Sequence, residues 1–442
     1  MPFGFGFVSE VTHYGPERPV RLPSKSGPAT SMKEIISKHV PEFENKASAI
    51  LNPLLFSGDL QTIYAGIGNF DSVDQVYYGR DVMTYPNGGA GCLDFCISER
   101  RYSEYETSQD DVPKGQSAVL PPRTRFFVKS ELDGLASQDT RPLLVLLHGL
   151  SGGSYEGYIR AVVSQITDAK YGFEAVVLNA RGCALSQITT PQLFNGFWTD
   201  DVRFTMKYLR KLFPHRPFFG IGFSLGASIL ANYVGQESDN CDFKAVCIMA
   251  DPWDLAGSAY CINRTILGSK AYSPAMTQSL VSLLKKHEKM LLEDEAFAKR
   301  YHSNIDKVKT LIEFDNQFTG PMFGFNTAME YYRLGSSFNR IMAIRTPCLI
   351  LNALDDPIVG HECLPYHEVA VNPYTLMLTT THGGHLGYFK PNGQRWYADP
   401  VCRFFHGFME DVDLTQENIT EGCTMPVKHK VVDDRLVGPF RT

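Results

Sequence analysis

Four short segments, far apart in the chain, carry residue types that could together transfer an acyl group. The first is Gly222-Phe223-Ser224-Leu225-Gly226. A serine hydroxyl is a weak nucleophile at neutral pH. It needs a base to take its proton and an acid to orient that base. Small residues two positions to either side allow a tight strand-to-helix turn that lifts the serine Oγ clear of the backbone. The second segment is Asn352-Ala353-Leu354-Asp355-Asp356-Pro357, a source of the acid. The third is His382-Gly383-Gly384-His385-Leu386-Gly387, a source of the base. The fourth, His148-Gly149-Leu150-Ser151-Gly152-Gly153, can present a backbone N–H to a developing oxyanion. Leu150 and Leu225 are the expected N–H donors of that oxyanion hole.

Within these segments two choices stay open. Asp355 and Asp356 cannot both hold one imidazole. The distance from the end of the preceding strand favours Asp356, with Asp355 the alternative acid. His385 is favoured as base because Gly383-Gly384 lets the backbone come close to the serine, which leaves His382 a structural part. His148 reads as a brace for its loop. His406 and Asp411 form a second His–acid spacing, but it falls at the end of a helical pattern and reads as accidental. No phosphate-binding loop, dinucleotide fingerprint or zinc-ligand spacing occurs, so neither metal nor cofactor is expected.

These segments must be held by a scaffold, and the pattern supplies one. Leu143–Leu147, Glu174–Asn179, Pro217–Ile221 and Phe243–Met249 are continuous apolar runs, as in strands buried on both faces. Helical patterns at Thr199–Phe213 and after Ser224 alternate with them. Such alternation predicts an α/β fold with a mostly parallel central sheet and helices on both faces. The alternation stops near Asp254 and resumes at Thr346. Between them Ser273-Pro274 reads as a helix start, and Leu280, Leu283, Leu284 and Leu291 form an apolar stripe. An insertion there would lie as a helical cap over the strand ends, where ligands of open α/β sheets bind. The last two strands are expected near Cys348–Asn352 and Thr375–Thr379, and Trp396–Met409 as a closing helix. The predicted organisation is an arm at 1–31, initial helices and strands at 32–141, core at 142–254, cap at 255–345, core again at 346–409 and a loosely packed tail at 410–442.

Bulk properties set outer limits. The 442 residues carry 42 basic and 48 acidic side chains, a net charge of −6, so no global field draws the chain to nucleic acid. The ten cysteines sit largely in apolar runs and read as buried free thiols of a reducing compartment. The apolar start Met1–Val8 lacks a basic leader, and no window is apolar for long enough to span a bilayer. These features allow a cytoplasmic location, which is the expectation here, with room for peripheral contact with a lipid droplet or membrane. Oligomeric state has no signature in the chain.

The elbow, the His-Gly-Leu-x-Gly-Gly loop, Asn-x-x-Asp-Asp-Pro and His-Gly-Gly-His-Leu-Gly together resemble the YheT-like branch of the AB hydrolases, which includes the mammalian abhydrolase-domain lipases. The likeness is strongest to the fungal medium-chain fatty acid ethyl ester synthase/esterases. Leu51–Phe56 through Gln75–Tyr78 and Phe314–Thr319 through Glu330–Tyr332 look like theirs, and the likeness spans roughly residues 45–410. The resemblance implies an α/β-hydrolase fold and places Ser224, Asp356 and His385 on the family's triad positions. It implies hydrolysis of short- to medium-chain esters, and transfer of a medium-chain acyl group from acyl-CoA to ethanol. It also suggests lipid droplets or the mitochondrial outer face as locations. Phe314, Phe318, Phe323, Phe325 and Tyr331 are candidates to line an acyl tunnel in the cap, although core packing explains each of them singly. A phospholipase or glycerolipid lipase, and a non-catalytic lipid-binding module, are the competing readings. A complete Ser–acid–His set argues against the last.

Overall fold

The computed structural model describes residues 6–106, 108–426, 430–432 and 435–437. Its frame is an eleven-stranded sheet built from β1 (Val8–Tyr14), β2 (Ser48–Ile50), β3 (Tyr77–Thr84), β4 (Ala90–Ile97), β5 (Thr124–Phe126), β6 (Leu143–Leu147), β7 (Glu174–Asn179), β8 (Phe218–Phe223), β9 (Phe243–Met249), β10 (Cys348–Ala353) and β11 (Thr375–Thr380). The strand order is β2-β1-β11-β10-β9-β8-β6-β7-β4-β3-β5. The six central strands, from β11 across to β7, run parallel. Their sequences are largely apolar, and nearly every residue in them is buried. Helices Gly157–Ile166 and Ala398–Asp411 pack together on the sheet, and Asp200–Leu212 and Leu225–Glu237 form a second pair. Asp200 and Asp201 open their helix and Arg210 and Lys211 close it, the arrangement its dipole favours.

The start of the chain corrects the expectation of a surface arm. Val8–Tyr14 enters the sheet and pairs antiparallel with β11 over Val11–Tyr14 and with β2 over Val8–Glu10. Its alternation of Val, Glu and Thr fits a strand at the margin of the sheet, where one face is less covered. Residues 1–5 of the predicted arm lie outside the described residues. The expected tail is tied down at its beginning: Val412 bridges Ser24 and Ile419 bridges Arg21. Much of the rest of the tail lies outside the described residues.

The insertion between β9 and β10 is helical, as expected. Its main helices are Leu255–Arg264, Ser273–Lys286, Glu295–Asn304 and Ala328–Gly335. Ser273 is not the cap of its helix. It is buried inside a continuous helical turn, and its Oγ accepts from the Leu311 N–H at 3.2 Å. The leucine stripe packs with Phe297, Tyr301, Phe314 and Phe318 into a small core of the insertion's own. Phe314 and Phe318 therefore serve packing rather than a tunnel wall. The last piece, Ser337–Ala343, belongs with the sheet layer, since Arg340 and Gly335 both bond to Asn232 of the Leu225–Glu237 helix. No helix among the described residues is long and apolar enough to cross a membrane.

Candidate active site

The turn at Ser224 joins β8 to the following helix, and its backbone is held at φ 53°, ψ −120°. Only close approach permits this. A Cβ on Gly226 would strike the carbonyl oxygens of Leu147 and His148, so the elbow can nest against β6 only with glycine there. The result is a half-buried Oγ at the C-terminal edge of the sheet.

The structure brings Ser224, His385 and Asp356 into one hydrogen-bonded line. His385 Nε2 lies 2.8 Å from Ser224 Oγ, and its Nδ1 lies 2.8 Å from Asp356 Oδ2. The other oxygen, Asp356 Oδ1, accepts from the Ile358 and Val359 N–H groups at 2.8 and 3.0 Å. Those two bonds fix the carboxylate, so the imidazole is oriented from below. Asp355 faces elsewhere. Its Oδ1 accepts from the Gly384 N–H at 2.9 Å, and burial pushes its carboxyl up to about 6. It pins the histidine loop rather than the histidine ring. His382 turns toward Thr381, and its backbone exchanges two hydrogen bonds with Ser9 of β1.

A further support comes from a stretch that sequence reasoning passed over. Helix Gly58–Ile67 packs under both catalytic loops. Thr62 Oγ1 accepts from the His385 N–H at 2.8 Å, and Gln61 Oε1 accepts from the Phe389 N–H at 2.8 Å. A Cβ on Gly58 would overlap the Asp355 carbonyl. Nothing in the spacing of Gly58, Gln61 and Thr62 announces this, because their partners lie some three hundred residues away.

Opposite the histidine stands the 148–153 loop. Neither the Leu150 nor the Leu225 N–H donates to another described residue. Leu225 is the first residue of its helix, where an unpaired N–H and the helix dipole both suit a developing negative charge. The loop is held from behind. The Tyr158 hydroxyl accepts from the Gly149 N–H at 2.9 Å. His148 Nε2 accepts from the Ala180 N–H at 3.0 Å, which leaves its Nδ1 to donate to the Gly149 carbonyl at 2.7 Å. Burial lowers this imidazole to about 4, so it stays neutral in that tautomer. Deeper still, Asp94 receives bonds from Arg80, Ser154 and Asn179, a buried network that fixes the loop's far end. His406 and Asp411 form no second site: His406 pairs with Glu410, and Asp411 with Lys38 and His39.

A cavity of about 120 Å³ opens beside Ser224. Its floor is Leu150, Ser224 and Leu225, and its roof is the cap, through Leu255, Ile262, Met276 and Leu280. Of the five aromatics expected there, only Tyr331 reaches it. Phe323 packs on Trp198, and Phe325 on Tyr331. One wall is polar. Asn195, Asp315, Thr319, Tyr331 and Tyr332 all face the space. The Asp315 carboxyl, pushed up to about 6 by burial, accepts from the Tyr332 hydroxyl at 2.6 Å. Asn195 was invisible in the sequence, where Asn195-Gly196 reads only as a turn.

Comparison with known proteins bears on the fold that carries this site. The profile of a family described as alpha/beta hydrolase fold matches residues 142–391. A monoacylglycerol lipase of Saccharomyces cerevisiae is 44% identical over 408 residues, covering 90% of this chain and 90% of that protein. Medium-chain fatty acid ethyl ester synthase/esterase 2 of the same yeast is 34% identical over 441 residues, covering 92% and 97%. Phospholipase ABHD3 of Mus musculus is 30% identical over 268 residues, covering 60% and 63%.

Proposed function

Because the chain belongs to the α/β-hydrolase fold family, we propose that it is a serine hydrolase of fatty acyl esters, working through an acyl-Ser224 intermediate. The observation that carries this reading is the His385 imidazole, 2.8 Å from both Ser224 Oγ and Asp356 Oδ2. Ser224 Oγ attacks the ester carbonyl as His385 Nε2 takes its proton. Asp356 holds the Nδ1–H and stabilises the imidazolium. The carbonyl oxygen becomes an oxyanion against the Leu150 and Leu225 N–H groups; one such donor typically contributes about 3 kcal/mol to the transition state. Collapse breaks the ester bond, and His385 returns its proton to the departing alcohol. A water then gives a proton to His385 as it attacks the acyl carbonyl, and the acyl–Oγ bond breaks as His385 passes that proton to Ser224 Oγ, releasing the fatty acid. No step calls for a metal or cofactor.

The acyl groups are of short to medium length, and their esters include monoacylglycerols and simple alkyl esters. The names of the two yeast relatives support this reading, the first for the monoacylglycerol and the second for the medium chain and the ethyl ester. With ethanol in place of water as second acceptor, and acyl-CoA as donor, the same intermediate yields an ethyl ester. Exposed Tyr260, Ile266 and Leu267 on the cap suit contact with a lipid droplet or membrane facing the cytoplasm.

A fluorophosphonate probe tests the nucleophile. It labels wild type and leaves Ser224→Ala unlabelled; equal labelling of both ends the reading. A panel of glyceryl mono-octanoate, ethyl octanoate, phosphatidylcholine, and octanoyl-CoA with ethanol varied tests the substrates. Turnover of the mono-octanoyl esters is expected, and turnover of phosphatidylcholine alone would replace them with a phospholipase.

A further inference from the structure

We infer that Asn195 and Tyr331 hold an oxygen on the alcohol portion of the substrate, so that the preferred ester is one whose alcohol keeps free hydroxyl groups. This rests on the acyl-Ser224 reading and adds specificity residues to it.

Asn195 is 3% exposed and lines the Ser224 cavity. Its Oδ1 accepts from the Phe197 N–H at 2.7 Å. An amide so held must turn its Nδ2 the other way. That nitrogen has two protons and meets no acceptor among the described residues. Tyr331 stands beside it. Its Oη accepts from the Gly196 N–H at 2.8 Å, and its own proton likewise has no acceptor among the described residues. Solvent can meet these donors in the free protein. A bound ester displaces solvent, and the donors must then meet substrate oxygens or go unmade, which is costly in a buried site.

The candidate oxygens can be counted. The ester carbonyl belongs to Leu150 and Leu225. The alkoxy oxygen receives the proton from His385. A saturated acyl chain has no acceptor. What remains is the alcohol beyond its first oxygen. Asp315 narrows the chemistry further, since its carboxyl lies on the same wall and shares a bond with Tyr332. A hydroxyl can accept from Asn195 and donate toward a carboxylate; an ether or carbonyl oxygen can only accept. An ethyl ester offers neither, whereas a partly esterified polyol offers both.

The test compares kcat/KM of the full-length protein on glyceryl mono-octanoate and ethyl octanoate, which share an acyl chain and differ only in the alcohol. Wild type prefers the glyceryl ester. Asn195→Ser keeps an oxygen for the Phe197 N–H but removes both Nδ2 protons, leaving one hydroxyl proton of shorter reach, and lowers the glyceryl-to-ethyl ratio about tenfold. Tyr331→Phe lowers the ratio in the same direction. An unchanged ratio, or equal loss on both esters in both variants, overturns the inference. So does a loss confined to octanoyl-CoA, whose amide and hydroxyl oxygens would then be what the wall binds. A wild type that turns over neither ester and takes no fluorophosphonate defeats the acyl-Ser224 reading itself, and the inference with it.

Discussion

Around Ser224 the side chains that orient the imidazole and brace the 148–153 loop are closed into pairs, while the wall below the cap leaves donors open. At the strand ends, Asp356 receives three bonds, His148 uses both ring nitrogens, and Tyr158 occupies the Gly149 N–H. In the cavity wall, Asn195 and Tyr331 each make one bond to backbone and offer the rest to the cavity. The contrast teaches where a fold spends its pairing. Groups that must keep one geometry through every turnover are bonded to the protein. Groups that must distinguish one ester from another are held at one end and left available at the other.

The contrast can be broken first at the two histidines. His385→Ala loses close to the full triad contribution, about 10⁶-fold in kcat. His382→Ala keeps activity to within about tenfold, because the residue supports the loop through its backbone. The reverse result moves the base to His382. The adjacent aspartates come next. Asp356→Asn leaves the imidazole in the wrong tautomer and lowers kcat by about 10⁴-fold, measured on a chromogenic octanoate ester. Asp355→Asn can still accept from the Gly384 N–H and costs about tenfold or less. Equal losses at the two would show that pairing with the ring is not what separates them.

The smallest effect is on stability and sharpens the other side. Burial holds the folded Asp315 carboxyl at about 6, above its ordinary 3.8. A raised carboxyl binds its proton more tightly when folded. The stability tied to that proton is fully present below about pH 4 and is lost as pH rises through about 6. Asp315→Asn, which still accepts from Tyr332, escapes the loss. Relative to wild type it gains on the order of 3 kcal/mol between pH 4 and pH 7.5, read from urea unfolding at the two values. No gain would mean that the carboxyl is not shielded as the cavity wall requires.

Much of the frame was legible because of physics that acts locally. Strands buried on both faces must be apolar throughout, so the runs at Leu143, Glu174, Phe243, Cys348 and Thr375 stood out. The elbow was legible because its glycines are forced by backbone contact. Other parts were not, for identifiable reasons. Val8–Tyr14 owes its place in the sheet to β11, more than three hundred residues away. The adjacent aspartates could not be separated by spacing, since one residue along a turn reverses the direction of a side chain. The cap aromatics are interchangeable in sequence, and only packing shows that Phe314 and Phe318 fill the insertion's own core. Asn195 was hidden because the same two residues, Asn-Gly, serve equally as an ordinary turn.

The support of the histidine loop by helix Gly58–Ile67 has a consequence in time. Thr62 reaches His385 across 323 residues, Gln61 reaches Phe389 across 328, and Ser9 reaches His382 across 373. A chain made from its N-terminus can close the elbow early, since β6 and β8 are already present when Ser224 emerges. The base cannot be seated until the chain has passed residue 389 and folded back onto its own beginning. Such distant closures are the slow ones. During synthesis, then, the nucleophile exists long before it can be activated. On the acyl-Ser224 reading proposed above, a growing chain that already displays Ser224 lacks its seated imidazole, and activity arrives only once the two ends of the chain have met.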